Sequence, residues 1–397
     1  MNPKIKLLFC TDSPTVNSGF GHQVDLIMQS LQRYYPRKYD LHCIGWQYGG
    51  RMLDLGYCKM WSKGKKPFGI DVTKDYLDGL KPDFVITFAD LWMIEWMFKI
   101  PRQSLWVAYF PLDGIPLPDR WANLLGHIDI PVAFSHFGFD LCHQKKVPVN
   151  LIPHMIDTKW FYRFDDEKRR QLRRKYNIKE DEIIILTVAR PNKRKRLNLG
   201  LKAIDRLIEM RNDFSWFLHS DLIHDDMMTR EFLQDLEYSK IKEENKFINL
   251  KFNFLAGINQ QKLLEIYNLA DIYFMPTGGE GFGLTTLEAG LCELPIVITD
   301  YSTSQELVGG RGELIKVKSL SVENPDGVKA ANIDIIDAAQ KLNKLCDNEE
   351  LRRTYGRTCR EEFLKYDKAE IIKTWDLLFS SNRHNIEDAM FRGYLND

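Results

Sequence analysis

Short apolar runs alternate with longer amphipathic segments along the chain. In the first half, runs rich in β-branched and aromatic residues predict six strands, Ile5–Cys10, Leu41–Trp46, Phe84–Phe88, Leu105–Tyr109, Val132–Ser135 and Val149–Ile152. This alternation is typical of parallel sheets covered by helices on both faces, because a strand buried on both sides needs a continuous apolar run. The first half therefore predicts one doubly wound α/β lobe.

A charged segment, Phe164–Glu182, then interrupts the apolar pattern and predicts a solvated helix at a hinge. Beyond it a second series of strands is predicted, namely Ile183–Val188, Ser215–Leu218, Phe252–Phe254, Ile272–Met275, Ile296–Thr299 and Glu313–Val317. These runs again alternate with helical patterns. The second half therefore predicts a second lobe of the same class.

Three helical patterns without an accompanying strand close the chain, namely Ile333–Lys344, Glu349–Leu364 and Lys368–Phe379. We therefore expect a Rossmann-like N-terminal lobe over residues 1–158 and a Rossmann-like C-terminal lobe over residues 159–365. A helical segment over residues 366–397 either caps the second lobe or crosses back to the first.

Composition narrows the function classes. Lys plus Arg and Asp plus Glu both number 55, so the overall charge gives no reason to expect stable nucleic-acid binding. The seven cysteines show neither a paired short spacing nor a zinc-like cluster, which favours a reducing compartment. The first apolar run is too short for a signal sequence, and no apolar run is long enough to span a membrane. We expect a cytoplasmic protein, with a peripheral membrane contact left open.

The strongest candidate for chemistry is the glycine-rich segment Pro276–Gly290, which follows a predicted strand and leads into a helix. Ligands of open α/β sheets lie beyond the carboxyl ends of the strands, and a helix beginning near Gly283 would direct free N–H groups at an anion there. Glu280 would lie at the helix mouth and Glu288 about two turns into the helix. Phosphate is the expected ligand, although the two carboxylates could instead cap and solvate the helix.

A basic cluster follows another predicted strand, Ile183–Val188, and includes Arg190 and Lys195. An arginine can bind phosphate oxygens with two parallel hydrogen bonds and a lysine can add a point charge, so the pair suits a departing diphosphate. Taken alone, the run Lys193–Arg196 would more simply be a solvated basic turn or a nucleic-acid patch.

Together these segments resemble the retaining glycosyltransferases of family 4, which have the GT-B architecture. The resemblance is carried by Glu280–Glu288 in the form EGFGLTTLE, by Arg190 and Lys195 five residues apart, and by Ala256–Ile258 before the helical pattern Gln260–Asn268. The glycine loop Asn17–Gly21, the segment Ile152–Asp157 and a C-terminal helix with Trp375 also match in kind.

The resemblance implies a role for each matching position. Arg190 and Lys195 would hold the donor diphosphate, and Glu288 would bind the ribose. Glu280, with the backbone near Phe282 and Gly283, would contact the donor sugar. Leu284 and Thr285 would offer N–H groups to phosphate, and Ile258 would lie near the base. Gly19, Phe20 and Gly21 would close over the donor from the first lobe. Neither a metal nor a cofactor is expected beyond the nucleotide-diphosphate sugar, in line with the lack of an Asp-x-Asp triplet.

Two positions depart from the family pattern. Where many members have a histidine in a first-lobe loop, this chain has Asp113, which is expected to take a sugar-facing catalytic role. Met155 follows His154 where the family commonly has glycine, and His154 is expected to be structural.

The resemblance implies transfer of a hexose, mannose or glucose, to a glycan, lipid-linked or other hydroxyl acceptor with an α linkage and retained configuration. An epimerase or phosphorylase of the same architecture remains an alternative, as does a non-catalytic nucleotide-sugar-binding subunit. A dehydrogenase is disfavoured, because Gly19-x-Gly21 lacks the third glycine of a dinucleotide fingerprint.

Overall fold

The structure is a computed structural model that describes residues 3–223, 226–249 and 258–382. The described chain divides into two compact units. The first contains residues 3–112, 117–156 and 366–382, and the second contains residues 113–116 and the described part of 157–365. The sequence placed its divisions at residues 158 and 365 and did not separate residues 113–116 from the first lobe.

The first unit is built on an eight-stranded sheet in the order β3-β4-β2-β1-β5-β6-β7-β8. Its strands are β1 Ile5–Thr11, β2 Tyr39–Gly45, β3 Leu53–Asp54, β4 Lys59–Ser62, β5 Phe84–Phe88, β6 Leu105–Phe110, β7 Ile130–Ala133 and β8 Asn150–Leu151. All pairings are parallel except that of β3 with β4. The central strands are buried along their length, as their continuous apolar runs require.

Five helices connect these strands, namely α1 Gly19–Tyr34, α2 Thr73–Leu80, α3 Leu91–Ile94, α4 Asp119–Leu125 and α5 His136–Gln144. His154 belongs to this unit's core, where its ring stacks on Phe134 and its Nδ1 lies 2.7 Å from the Tyr109 hydroxyl. Burial lowers the pKa of His154 to about 3, so the ring is neutral at physiological pH.

The second unit contains a six-stranded parallel sheet in the order β11-β10-β9-β12-β13-β14 and a separate antiparallel hairpin, β15-β16. The strands are β9 Ile183–Val188, β10 Phe214–His219, β11 Phe247–Ile248, β12 Ile272–Met275, β13 Ile296–Thr299, β14 Glu313–Ile315, β15 Val317–Val322 and β16 Lys329–Ile333. The sheet is closely packed, since Ile185, Trp216, Phe274 and Val297 are fully buried in one cluster.

Nine helices accompany these strands in the described chain, namely α6 Asp166–Lys175, α7 Leu197–Ile208, α8 Met227–Glu237, α9 Lys240–Glu243, α10 Gln260–Leu269, α11 Leu284–Leu291, α12 Ser304–Val308, α13 Ile335–Asp347 and α14 Glu349–Phe363. The charged helix α6 is fixed by Arg169 and Arg173, which both pair with the half-buried carboxylate of Asp271 at 3.1 and 2.9 Å. The charged segment that the sequence predicted as a hinge is therefore tied to the start of β12.

The last described helix, α15 Lys368–Ser381, belongs to the first unit and packs against α1. Its Asp376 carboxylate accepts hydrogen bonds from Lys38 and from the Tyr39 hydroxyl, both at 2.6 Å. Trp375 is fully buried and meets the Tyr109 ring edge-on.

The predicted fold class is confirmed, and the strand predictions agree closely with the described elements. The predicted strand Phe252–Phe254 lies outside the described residues. The sequence missed β3, β4, β11, β15 and β16, because these strands are short or carry exposed polar positions that break the apolar signal. No helix in the described ranges is long and apolar enough to cross a membrane.

Candidate functional site

Two loops of the second unit leave the sheet at the same edge. The loop 189–196 follows β9 and the loop 276–283 follows β12, and these two strands are parallel neighbours. Parallel neighbours bring their carboxyl ends together, which is where open α/β sheets bind ligands. The basic cluster and the glycine-rich segment therefore lie side by side, as a single site formed by both segments requires.

The glycine-rich loop runs close to its neighbours through its backbone. The Gly278 N–H donates to the Arg194 carbonyl at 2.6 Å, and the Gly278 carbonyl accepts from the Ala331 N–H at 2.8 Å. Gly279 has a φ of 154°, and a Cβ on it would lie 2.0 Å from the Asp113 carbonyl oxygen. Only glycine fits this position, because backbone blocks the side-chain direction.

Glu280 is buried at the end of this loop and forms two ion pairs. Its carboxylate lies 2.6 Å from Lys195 Nζ and 3.1 Å from Arg194 Nη1. Burial alone would raise the pKa of Glu280, but the charges of Lys195 and Arg194 outweigh it and hold the pKa at about 2. Burial lowers the pKa of Lys195, and the Glu280 charge opposes that shift. Glu280 is therefore a fixed anion at neutral pH.

Helix α11 begins four residues after Glu280. Gly283 precedes it with a φ of 110° and accepts from the N–H groups of Thr286 and Leu287 at 3.0 and 3.1 Å. The N–H groups of Leu284 and Thr285 are the first two of the helix, and such groups have no acceptor within their own helix. The positive end of the helix dipole lies at the same place, so this terminus suits an anion.

Glu288 lies four residues after the first residue of α11. It is thus about one turn into the helix at 3.6 residues per turn, and not the two turns expected from the sequence. The Tyr267 hydroxyl donates to its carboxylate at 2.6 Å. Burial raises the pKa of Glu288 to about 7, and the hydrogen bond from Tyr267 limits the rise. Glu288 therefore titrates near neutral pH, whereas Glu280 does not.

A second tyrosine supports the start of the helix. The Tyr273 hydroxyl donates to Thr285 Oγ1 at 2.8 Å, and the Tyr267 hydroxyl also lies 3.3 Å from the Thr285 carbonyl oxygen. Both tyrosines are fully buried. Because the Thr285 hydroxyl is thus engaged, its backbone N–H is better placed for a ligand than its side chain.

Asp113 reaches the same cluster. Residues 113–116 group with the second unit, and the Asp113 carboxylate lies 3.2 Å from Arg194 Nε. The Ile115 carbonyl accepts from the Lys329 N–H at 2.7 Å, which fixes the segment on β16. The structure thus brings Asp113, Arg194, Lys195 and Glu280 together.

The other predicted positions lie as follows. Arg190 is exposed just beyond the carboxyl end of β9, and Phe282 is buried, its carbonyl accepting from Thr303 Oγ1 at 2.8 Å. Ile258 is half-buried just before α10, whereas residues 256 and 257 lie outside the described residues.

The last three residues of the predicted glycine loop Asn17–Gly21 in the first unit are helical. Gly19, Phe20 and Gly21 form the first turn of α1, and the Ser18 hydroxyl caps that turn by accepting from the Gly21 N–H at 2.9 Å. The expectation of a loop is corrected at these three residues, because Ser18 is a strong helix N-cap. A Cβ on Gly21 would lie 2.6 Å from the Val16 carbonyl oxygen, so this glycine also serves close packing.

Sequence reasoning missed Arg194, Tyr267 and Tyr273 as site residues. Arg194 lies in the basic run beside Lys195, but the sequence alone could not distinguish a site residue in this run from one in a solvated turn. The tyrosines gave no signal, since a buried tyrosine in a helix or strand is ordinary core. All seven cysteines are buried and free, and the described residues contain no group of three His, Cys, Asp or Glu that could hold a metal ion.

One family model and several curated proteins match parts of this chain. The family model described as glycosyl transferases group 1 matches residues 168–362. N-acetyl-alpha-D-glucosaminyl L-malate synthase of Bacillus anthracis is 24% identical over 255 residues, which cover 63% of this chain and 59% of that protein. The chain spans only 38% and 59% of the length of the first two curated relatives that it matches.

Solved structures match over nearly the whole chain. Sucrose-phosphate synthase from Thermosynechococcus elongatus aligns with a TM-score of 0.75 at 16% identity, covering 95% of this chain and 98% of that one. Anabaena HepE in complex with UDP and glucose aligns with a TM-score of 0.69 at 13% identity, covering 95% and 100%. At such identities the likeness shows the fold. These structures show that the chain has the GT-B fold of two Rossmann-like α/β lobes, and the family match shows that residues 168–362 are similar to glycosyl transferases group 1.

Proposed function

We propose that this chain is a retaining glycosyltransferase that moves a hexose, mannose or glucose, from a nucleotide-diphosphate sugar to an acceptor hydroxyl with an α linkage. The observation that carries the proposal is the cluster in the second unit, where Glu280 is held between Lys195 and Arg194 beside the start of α11. A buried anion, fixed cations and helix N–H groups that lack an acceptor within their own helix meet there, which suits a ligand with both hydroxyl and phosphate groups.

The positive groups would act on the departing nucleotide diphosphate. Lys195, Arg190 and the N–H groups of Leu284 and Thr285 would bind its phosphate oxygens. Charge grows on the leaving phosphate as the bond to the sugar breaks, so groups already held in place lower the barrier without reorganising. These charges are fixed parts of the protein, which supports the proposal that no metal is needed for this step.

The carboxylates would divide the donor between them. Glu280 is ionised at neutral pH and would accept hydrogen bonds from sugar hydroxyls. Glu288, one turn into α11, would bind the ribose, and Asp113 would face the sugar. Asp113 forms an ion pair with Arg194, which also pairs with Glu280, and this supports the sugar-facing role of Asp113.

Retention would follow from attack on the same face of the sugar that the diphosphate leaves. The acceptor oxygen forms its bond to the anomeric carbon as the bond to the phosphate oxygen breaks, and that phosphate oxygen takes the acceptor proton. Catalysis would then rest on positioning and charge stabilisation, with no separate base. The acceptor would be a glycan, a lipid-linked sugar or another hydroxyl compound.

A donor panel tests the proposal. Purified protein is incubated with UDP-glucose, GDP-mannose, ADP-glucose and other hexose donors, with and without EDTA, and nucleotide release is measured. UDP-glucose comes first, because one structure with the same fold holds UDP and glucose. We expect one donor to react, EDTA to have no effect, and Arg190→Ala and Glu288→Ala to lose activity. The matched control is Arg174→Ala, which removes another exposed arginine of the second unit, on α6.

Each remaining outcome has a distinct meaning. A product with inverted configuration by NMR would refute retention alone. A changed sugar released without any acceptor would favour an epimerase. Binding of a nucleotide sugar without turnover for any acceptor would favour the non-catalytic subunit, and no binding across the panel would refute the donor site itself.

A further inference from the structure

Arg196 ends the basic loop in an unusual backbone conformation. Its φ is 51°, in the left-handed region that glycine favours, and the residue caps the start of α7. Such a conformation costs about 1 kcal/mol or more for a residue with a Cβ. Arg196 is nevertheless only 9% exposed. A buried arginine in this conformation calls for compensation by its side-chain contacts.

The guanidinium of Arg196 makes those contacts with the β15-β16 hairpin. Its Nε donates to the Ala331 carbonyl at 3.0 Å, and its Nη2 donates to Ser321 Oγ at 2.8 Å and to the Glu323 carboxylate at 2.5 Å. Its Nη1 closes the loop by donating to the Lys193 carbonyl at 3.1 Å. All three guanidinium nitrogens thus donate hydrogen bonds. Nε and Nη2 donate to the hairpin and to Glu323, the residue directly after β15.

The same hairpin also holds the other parts of the site. The Ala331 N–H donates to the Gly278 carbonyl, one residue from the close approach at Gly279. The Lys329 N–H donates to the Ile115 carbonyl, and the Tyr301 hydroxyl donates to the Lys329 carbonyl at 2.6 Å. One hairpin therefore contacts the segments that carry Lys195, Glu280 and Asp113.

We propose that Arg196 is a positioning residue for the cations of the diphosphate site, and that the β15-β16 hairpin is the platform on which it acts. Lys195 and Arg194 reach Glu280 while the next side chain anchors the loop to the hairpin. Arg196 itself touches no substrate in this scheme. The inference rests on the proposed function, since it assumes that Lys195 binds the donor diphosphate while Arg194 helps to hold Glu280.

The test is Arg196→Gly, because glycine removes the side chain and also relieves the left-handed backbone. Calorimetric affinities are measured for UDP, GDP and ADP and for the matching monophosphates. We expect the ratio of diphosphate to monophosphate affinity to fall about tenfold or more, since a displaced loop moves the charges from the second phosphate. Donor KM should rise more than kcat falls. The control is Arg37→Gly, an exposed left-handed arginine of the first unit, which should leave the ratio unchanged.

The outcomes separate the two proposals. A wild-type protein that binds none of the nucleotides refutes the proposed function. A folded Arg196→Gly variant with an unchanged affinity ratio refutes the positioning role alone. If Arg196→Gly does not fold, Glu323→Gln decides, because it keeps Arg196 and removes the negative charge that pairs with Arg196 and, at 3.8 Å, with the exposed Lys193 of the same loop. The positioning role then requires a lower affinity ratio in Glu323→Gln without a lower monophosphate affinity, and an unchanged ratio refutes it.

Discussion

Replacing Glu288 by glutamine should make the stability of the second unit less dependent on pH. The folded protein raises the pKa of Glu288 from 4.5 to about 7, so between these values the folded chain binds more protons than the unfolded chain. Stability therefore falls as pH rises through this window, and the full cost is reached above pH 7. Glutamine has the same shape, accepts the Tyr267 hydrogen bond and never ionises.

The size of the effect follows from the shift. The rise of the Glu288 pKa from 4.5 to about 7 corresponds to about 3 kcal/mol when the carboxylate is fully ionised in both states. At pH 5 the cost is only about 1 kcal/mol, because the folded carboxyl is still protonated. Glu288 keeps partial contact with water, so we expect screening to halve these values. Glu288→Gln should then stabilise the unit about 1 kcal/mol more at pH 8 than at pH 5.

Hydrogen exchange of second-unit peptides in urea, at pH 5 and pH 8, measures this difference without interference from the first unit. Glu361→Gln, an exposed position on α14, is the matched control and should change stability by less than about 0.5 kcal/mol at either pH. A Glu288→Gln gain that is equal at the two pH values would show that burial does not raise this pKa. Tyr267→Phe should enlarge the pH dependence, because it removes the hydrogen bond to the ionised form.

Lys195→Ala should destabilise the second unit by about 3 kcal/mol at pH 7, because it leaves Glu280 with one partner. Since the pKa of Glu280 is lowered to about 2, this loss of stability should shrink as pH falls from 4.5 towards 2. Urea unfolding at several pH values measures the loss, and a loss that does not change with pH contradicts the ion pair. Asp271→Asn should cost about 3 kcal/mol by unpairing its two arginines, yet leave nucleotide affinity unchanged by calorimetry. Gly290→Ala should cost about 1–3 kcal/mol in thermal unfolding, since its Cβ would lie 2.2 Å from the Phe363 ring; unchanged stability would mean that α11 and α14 pack less closely.

Most strands and helices could be predicted from the sequence, because the apolar pattern within each segment shows which of its positions are buried. Buried parallel strands such as β9, β12 and β13 require continuous apolar runs, and their predicted bounds match the structure. The hairpin β15-β16 could not be predicted in this way, because exposed positions dominate β15 and mask its period. The glycines and acids of the segment 276–290 also stood out, since few residue types tolerate that backbone.

The assembly of the site was decided only by tertiary structure. Lys195 and Glu280 are 85 residues apart, and Arg196 bonds to Ala331 across 135 residues. Nothing local marks such pairs, because the partners meet only when β9 and β12 become neighbours and the hairpin folds onto their loops. By itself the sequence determined the two α/β lobes and the residue types at the strand ends. The packing of distant segments decided that Glu280 is a fixed anion, that Glu288 titrates near neutral pH and that Arg196 anchors the loop, because charge and burial depend on neighbours in space.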